Sequence, residues 1–150
     1  MDFKFCEKAI KELAYSYNNT NSKLERSKLK TMINKVLRVA MNFETLTHAS
    51  EKALLLAEEH NIDLKKMTWE NQNTYDKGRK MFVYEHKATV NDLSIQIIND
   101  PENTLSILSS MEIIWLTREE DNNLNWLGYR IKRPDPDKAY EDAKIKVVKI

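Results

Sequence analysis

The apolar positions of the chain follow two regimes. Phe3, Cys6, Ile10, Leu13, Ala14 and Tyr17 recur at steps of three and four, the helical period, and Asp2 ahead of them predicts a cap. Asn18-Asn19-Thr20-Asn21 ends this run, because short polar side chains compete for the backbone. A longer helix is predicted from Ser22 to about Phe43, with Leu29, Met32, Ile33, Val36, Leu37, Ala40 and Phe43 as its apolar stripe. A third, capped at Thr45 or Thr47, carries Ala49, Ala53, Leu54, Leu56 and Ala57. It stops near His60-Asn61, where Asn tolerates the left-handed stop position. Leu64 and Met67 predict one further turn after Asp63. Three such helices suit an antiparallel bundle with short loops.

Beyond residue 68 the pattern is mixed. Trp69 to Tyr75 has no period and reads as a loop, and Asp76-Lys77-Gly78 reads as a turn. Met81-Phe82-Val83-Tyr84 is a β-favouring run that predicts a strand from about Lys80 to Lys87. Thr89-Val90-Asn91-Asp92 has the form of a capping box, with Asp in place of Glu, opening a helix through Val90, Leu93, Ile97 and Ile98. Asp100-Pro101-Glu102 starts another, through Leu105, Ile107, Leu108 and Met111. Ile113-Ile114-Trp115-Leu116 reads as a second, buried strand. Strand, helices, strand predicts a crossover, hence parallel pairing.

Thr117-Arg118-Glu119-Glu120 is a complete capping box, and the helix it opens, through Leu124 and Leu127, stops at Gly128. Pro134-Asp135-Pro136 prevents a regular element. A short helix around Ala139 to Ala143 then leads to an edge strand, Ile145 to Ile150, guarded by lysines. The expected fold is α+β and helix-dominated: an N-terminal helical bundle, then a small sheet of short strands with packed helices. Residues 1–150 are expected to form a single domain, with a helical part about 1–68 and a mixed α/β part about 69–150.

Composition narrows the classes. The chain has 150 residues, 41% hydrophobic, enough for one core. Two glycines and three prolines are too few for the many turns of an all-β fold. With 24 basic and 23 acidic residues the net charge is +1, so an anionic partner must be met by a local patch. The single cysteine, Cys6, cannot form an intrachain disulfide and its spacing suits a buried thiol. The start lacks the apolar core of a signal peptide, and no segment approaches the roughly 20 apolar residues that span a bilayer. A cytoplasmic protein with no membrane partner is expected.

Basic residues gather at two places. Lys23, Arg26, Lys30 and Arg38 fall opposite the apolar stripe of the second helix, and Arg130, Lys132 and Arg133 interleave with Tyr129 and Ile131. Each group reads either as a nucleic-acid-binding surface contacting phosphates or as ordinary solvated charge. His48 and His60 lie too far apart on one helix to share a metal ion. Glu119, Glu120 and Asp121 could bind a cation, or could complement a helix N-terminus.

The densest chemistry surrounds the strand at residues 80–87. Asp76 precedes it, Glu85 lies near its end and Lys87 follows two residues later. This arrangement resembles the PD-(D/E)xK nuclease core, with Tyr75 standing where that family places its proline. The resemblance implies Asp76 and Glu85 as ligands of a divalent metal, Mg2+ or Mn2+, with Lys87 positioning or activating water beside the scissile phosphate. Glu85-His86 is similar to the strand histidine of HNH nucleases, implying His86 as an alternative base, without that family's downstream histidine or zinc cysteines. No Gly-rich phosphate loop, nucleophile elbow, His-Glu-x-x-His or dinucleotide fingerprint is present.

Three functions are thus expected to compete. The first is a metal-dependent nuclease with Glu85, His86 and Lys87 as catalytic residues. The second is a non-enzymatic interaction module, of adaptor, immunity or regulatory type, anchored by Trp69, Trp126 and Tyr129. The third is nucleic-acid binding without catalysis.

Overall fold

The computed structural model describes residues 3–42 and 44–150. Its elements run α1 (Lys4–Asn19), α2 (Lys23–Met41), β1 (His48–Ser50), α3 (Glu51–Glu59), α4 (Gln72–Tyr75), β2 (Phe82–His86), α5 (Val90–Asn99), α6 (Thr104–Ser109), β3 (Ile113–Thr117), α7 (Arg118–Trp126), α8 (Pro136–Asp142) and β4 (Val147–Lys149). Single 3-10 turns lie at Leu64–Lys66 and Pro101–Asn103. The protein is α+β and helix-dominated. No described helix is long and apolar enough to cross a membrane.

The chain forms two compact units. The first comprises the described residues of Met1–Met41 together with Thr89–Met111; the second comprises those of Asn42–Ala88 and Glu112–Ile150. In the first, α1 and α2 pack against each other, with α5 and α6 completing the bundle. Cys6, Ile10 and Ala14 of α1, Ile33, Leu37 and Met41 of α2, and Leu93, Ile97 and Ile98 of α5 are buried. Most of these lie on the apolar stripes of the sequence, but Met32, expected on the stripe of α2, is exposed, and Met41, not expected there, is buried. Asn18 Nδ2 donates to the Ile98 carbonyl (2.8 Å), and Lys11 pairs with Glu102 (2.6 Å). The cap expected at Asp2 and the helix end expected at Phe43 lie outside the described residues.

The second unit is built on a mixed four-stranded sheet in the order β2-β3-β1-β4. β1 runs parallel to β3, with Ala49 opposite Trp115, while β4 pairs antiparallel with β1 and β2 antiparallel with β3. Two sequence expectations fail here. The helix expected to carry Ala49 starts later, because Ser50 Oγ accepts the Ala53 N–H (2.9 Å) and caps α3. His48–Ser50 is instead a strand, three residues with no readable period, whose partners lie far away in the chain. So α3 packs on the sheet within the second unit, where the sequence predicts a third bundle helix.

The second failure is the pairing of β2 with β3. The two strands run antiparallel, and the connection between them, α5 through α6, belongs to the first unit, so the parallel pairing that a crossover within one unit would give is not found. Smaller differences follow from local side-chain bonds. One turn of helix, α4, occupies part of the expected loop, and Asp135, whose Oδ1 accepts the Lys138 N–H (3.0 Å), starts α8 with Pro136 at its first position.

Both faces of β3 are buried. Ile114 and Leu116 join Leu124, Ala139, Tyr140, Ala143 and Ile145 in one core cluster. On the other face Trp115 meets Tyr84 edge to face, ring centroids 5.0 Å apart. The expected capping box of α7 is complete at Thr117 and Glu120, and Gly128 ends that segment at φ 90°.

Candidate functional site

The candidate residues of the second unit are distributed along β2 and its flanks. The Asp76 carboxylate is buried at the start of the strand, 1% exposed. Its Oδ1 accepts the N–H groups of Lys80 (2.9 Å) and Met81 (3.1 Å), and its Oδ2 accepts those of Phe82 (3.0 Å) and the Gln72 side chain (3.1 Å). The turn between them is tight: Gly78 and Arg79 both take positive φ, 76° and 52°. Asp76 therefore folds residues 76–82 around one anion, and charge-assisted bonds from backbone N–H groups hold the chain on course into β2.

Glu85 lies three residues further, about 10 Å along an extended strand from Phe82. It also projects to the opposite face, because side chains alternate. Its Oε1 takes a 2.6 Å hydrogen bond from Arg133 Nη2. Arg133 is anchored in this corner: Nε donates to the Tyr129 carbonyl (3.0 Å), and Nη1 donates to the carbonyls of His86 (2.9 Å) and Lys87 (3.0 Å). The guanidinium also lies 5.9 Å from the Tyr140 ring centroid. Burial pushes the Tyr140 hydroxyl far above the ordinary phenol range, and the Glu85 charge adds to it.

Lys87 shares the face of Glu85, as its spacing requires, and sits between Glu112 (2.9 Å) and Asp137 (2.7 Å). Burial of the ammonium works against its charge, but hydrogen bonds to Asp137 and Glu112 outweigh it and the pKa is raised. Lys87 is thus a fixed cation and holds no neutral amine near pH 7. His86 points to the other face, its ring 6.5 Å from that of Tyr84.

The structure therefore brings Glu85 and Lys87 onto one face and keeps Asp76 apart at the far end of the strand. A shared divalent ion needs both carboxylates within about 2.0–2.6 Å of one point. As arranged, Asp76 and Glu85 do not fit one Mg2+ or Mn2+ ion, and each would first have to surrender its protein partners. Among the described residues, no group of three or more His, Cys, Asp or Glu side chains is placed to hold a metal. The acidic trio is similarly committed: Glu120 accepts from Ser50 Oγ (2.6 Å) and the Thr117 N–H (2.9 Å), Glu119 pairs with Lys52 (3.4 Å), and Asp121 accepts from Asn125 (3.3 Å).

The basic candidates divide between the units. Lys23 and Arg38 of α2 are exposed, Lys30 is half-buried, and Arg26 donates to the Thr20 carbonyl (2.8 Å) with its guanidinium 5.6 Å over the Tyr17 ring. In the second unit Arg130 and Lys132 are exposed, whereas Arg133 is buried and belongs to the Glu85 corner.

Of the aromatic anchors, Tyr129 is half-buried against the core and donates to Asp142 (2.6 Å). Trp69 is stacked by Arg79, whose guanidinium carbon lies 3.8 Å from the ring centroid. Trp126, at the end of α7, is 83% exposed. An open cleft of about 420 Å³ lies between α3 and the start of α7, its floor formed by Leu55, Leu56 and Met81 and its rim by Lys52, Lys80 and Arg118 with Glu59 and Glu119. Nothing in the sequence pointed to it, since its residues come from three separate segments. No family model matches the chain, and no curated protein or solved structure matches it significantly.

Proposed function

We propose that this protein is a non-enzymatic interaction module that docks a protein partner through the Trp126 end of α7. The observation that carries the reading is the exposure of Trp126, 83%, on a helix whose other side is fixed by the buried Glu120 and Leu124. A large aromatic ring left in water on a rigid element is the usual anchor of an interface, because it supplies apolar area at little conformational cost. Exposed Arg130, Ile131 and Lys132 follow in the next segment and give the same region a basic rim. The commitments of Asp76, Glu85 and Lys87 support this reading over the nuclease one, since each group already serves the fold.

The test pairs two measurements on the full chain. Trp126→Ala should remove the partner captured by the wild-type protein while leaving the thermal midpoint unchanged. No Mg2+- or Mn2+-dependent cleavage of DNA or RNA should accompany the wild type. Divalent-dependent cleavage that Glu85→Gln abolishes without unfolding the protein would overturn the proposal in favour of the nuclease.

A further inference from the structure

The two edges of the sheet are finished in different ways. At β2, the Lys87 N–H donates to the Glu112 carbonyl (2.9 Å) and the Arg118 N–H to the Met81 carbonyl (2.8 Å), so these groups face β3. Antiparallel alternation then turns Phe82, Tyr84 and His86 to the outer edge. Side chains close that edge at both ends. Asp76 and Gln72 take the N–H and carbonyl of Phe82, and Arg133 takes the carbonyl of His86.

The β4 edge has no such closure. The Ile150 N–H donates to the Thr47 carbonyl (2.9 Å) and the Glu51 N–H to the Lys146 carbonyl (2.9 Å), so residues 146, 148 and 150 face β1. The backbone groups of Val147 and Lys149 therefore face outward, and among the described residues no protein group hydrogen-bonds them there. Such a row is a template for another strand.

Charge selects the occupant. Lys144 and Lys149 are exposed and, among the described residues, have no carboxylate partner, while Lys146 pairs with Glu51 (2.5 Å). The acids nearest in sequence, Glu141 and Asp142, precede the strand, and Asp142 is held by Lys138 (3.1 Å) and Tyr129. A second copy pairing edge to edge would align the lysines of both chains in one short ladder, where like charges repel. The same lysines attract an acidic strand.

We propose that the outer edge of β4 accepts an extended acidic segment of another protein as an added strand. Backbone groups of Val147 and Lys149 supply the ladder, and Lys144 and Lys149 supply the charge preference. This names a partner chemistry for the interaction reading and rests on it, but on a surface that does not include Trp126.

The full chain would be titrated with a synthetic peptide of alternating valine and glutamate, and with a valine–lysine peptide of equal length, while amide exchange is followed by NMR. The glutamate peptide should slow exchange at Val147 and Lys149 by about tenfold or more at saturation. Lys149→Glu, a change at an exposed side chain, should weaken binding by about tenfold. Val147→Pro should abolish it, because it removes an outward N–H without touching the ladder to β1. The proposal is overturned by unprotected amides at saturating peptide, by equal binding of the lysine peptide, or by a concentration-dependent dimer that Lys149→Glu strengthens. Trp126→Ala should leave peptide binding intact. Failure of the peptide to bind, with Trp126 still required for partner capture, sinks the strand proposal alone.

Discussion

Glu85 on β2 and Arg133, 48 residues later in the chain, form a 2.6 Å ion pair in which the guanidinium is 1% exposed and the carboxylate 17%. The pair joins the end of an edge strand to the segment that follows Gly128, and the three carbonyls bound by Arg133 make it a junction rather than a lone contact. Arg133→Met should leave Glu85 half-buried without its cation and free those carbonyls, at a cost of about 3–5 kcal/mol in urea unfolding. Replacing both partners, Glu85→Leu with Arg133→Met, should cost less than Arg133→Met alone, since no charge is stranded. A double-mutant cycle reads the coupling directly. A cost below about 1 kcal/mol for Arg133→Met would show the corner to be dispensable.

Asp76 is predicted to matter for folding through its charge and its acceptors. Asp76→Asn keeps the shape but sets an NH2 group against one or more of the backbone N–H donors. A loss of about 1–3 kcal/mol is expected, with the largest amide shifts at Lys80, Met81 and Phe82. The same variant tests the nuclease resemblance, because cleavage lost without loss of stability would assign Asp76 a catalytic part.

Gly128 isolates backbone strain from crowding. It takes φ 90°, yet a Cβ built there meets nothing within 4 Å. Gly128→Ala should therefore cost about 1–2 kcal/mol purely from the left-handed conformation. Gly128→Asn should cost less, since Asn tolerates positive φ better. Equal stability of all three would mean that the turn after α7 can relax.

These elements also show where the sequence was legible. Thr117 and Glu120, Thr89 and Asp92, and the left-handed Asn61 were readable because a cap is a local bargain between neighbours. The stripes of α1 and α2 were readable for the same reason. β1 was not, since three residues carry no period and Ala49 is a strand only by virtue of distant partners, Trp115 and Val148. The spacing of Asp76, Glu85 and Lys87 correctly put the last two on one face. It could not reveal that Asp76 binds the backbone of residues 80–82, nor that Arg133, one of three neighbouring basic residues, would turn inward to meet Glu85. Those are facts of chain reversal and non-local pairing, which composition and periodicity do not encode.

The last prediction concerns alkaline pH, where three groups act in one direction. Burial raises the pKa of Tyr84 and Tyr140 from the ordinary 10.0, and for Lys87 the bonds to Asp137 and Glu112 outweigh burial and raise it from 10.5. Above about pH 10 the unfolded chain loses these protons before the folded one does. The folded state then holds more protons, so stability falls as pH rises. Urea midpoints should thus decline steadily from pH 10 upward. Tyr140 separates the contributions, because its buried hydroxyl has no hydrogen-bond partner among the described residues. Tyr140→Phe removes that unsatisfied group together with its titration. It should stabilise the protein by about 1 kcal/mol at neutral pH and flatten the alkaline slope. If Tyr140→Phe instead destabilises at neutral pH and leaves the slope unchanged, the hydroxyl is held by ordered water, and the decline belongs to the other groups whose pKa is raised, Tyr84 and Lys87 among them.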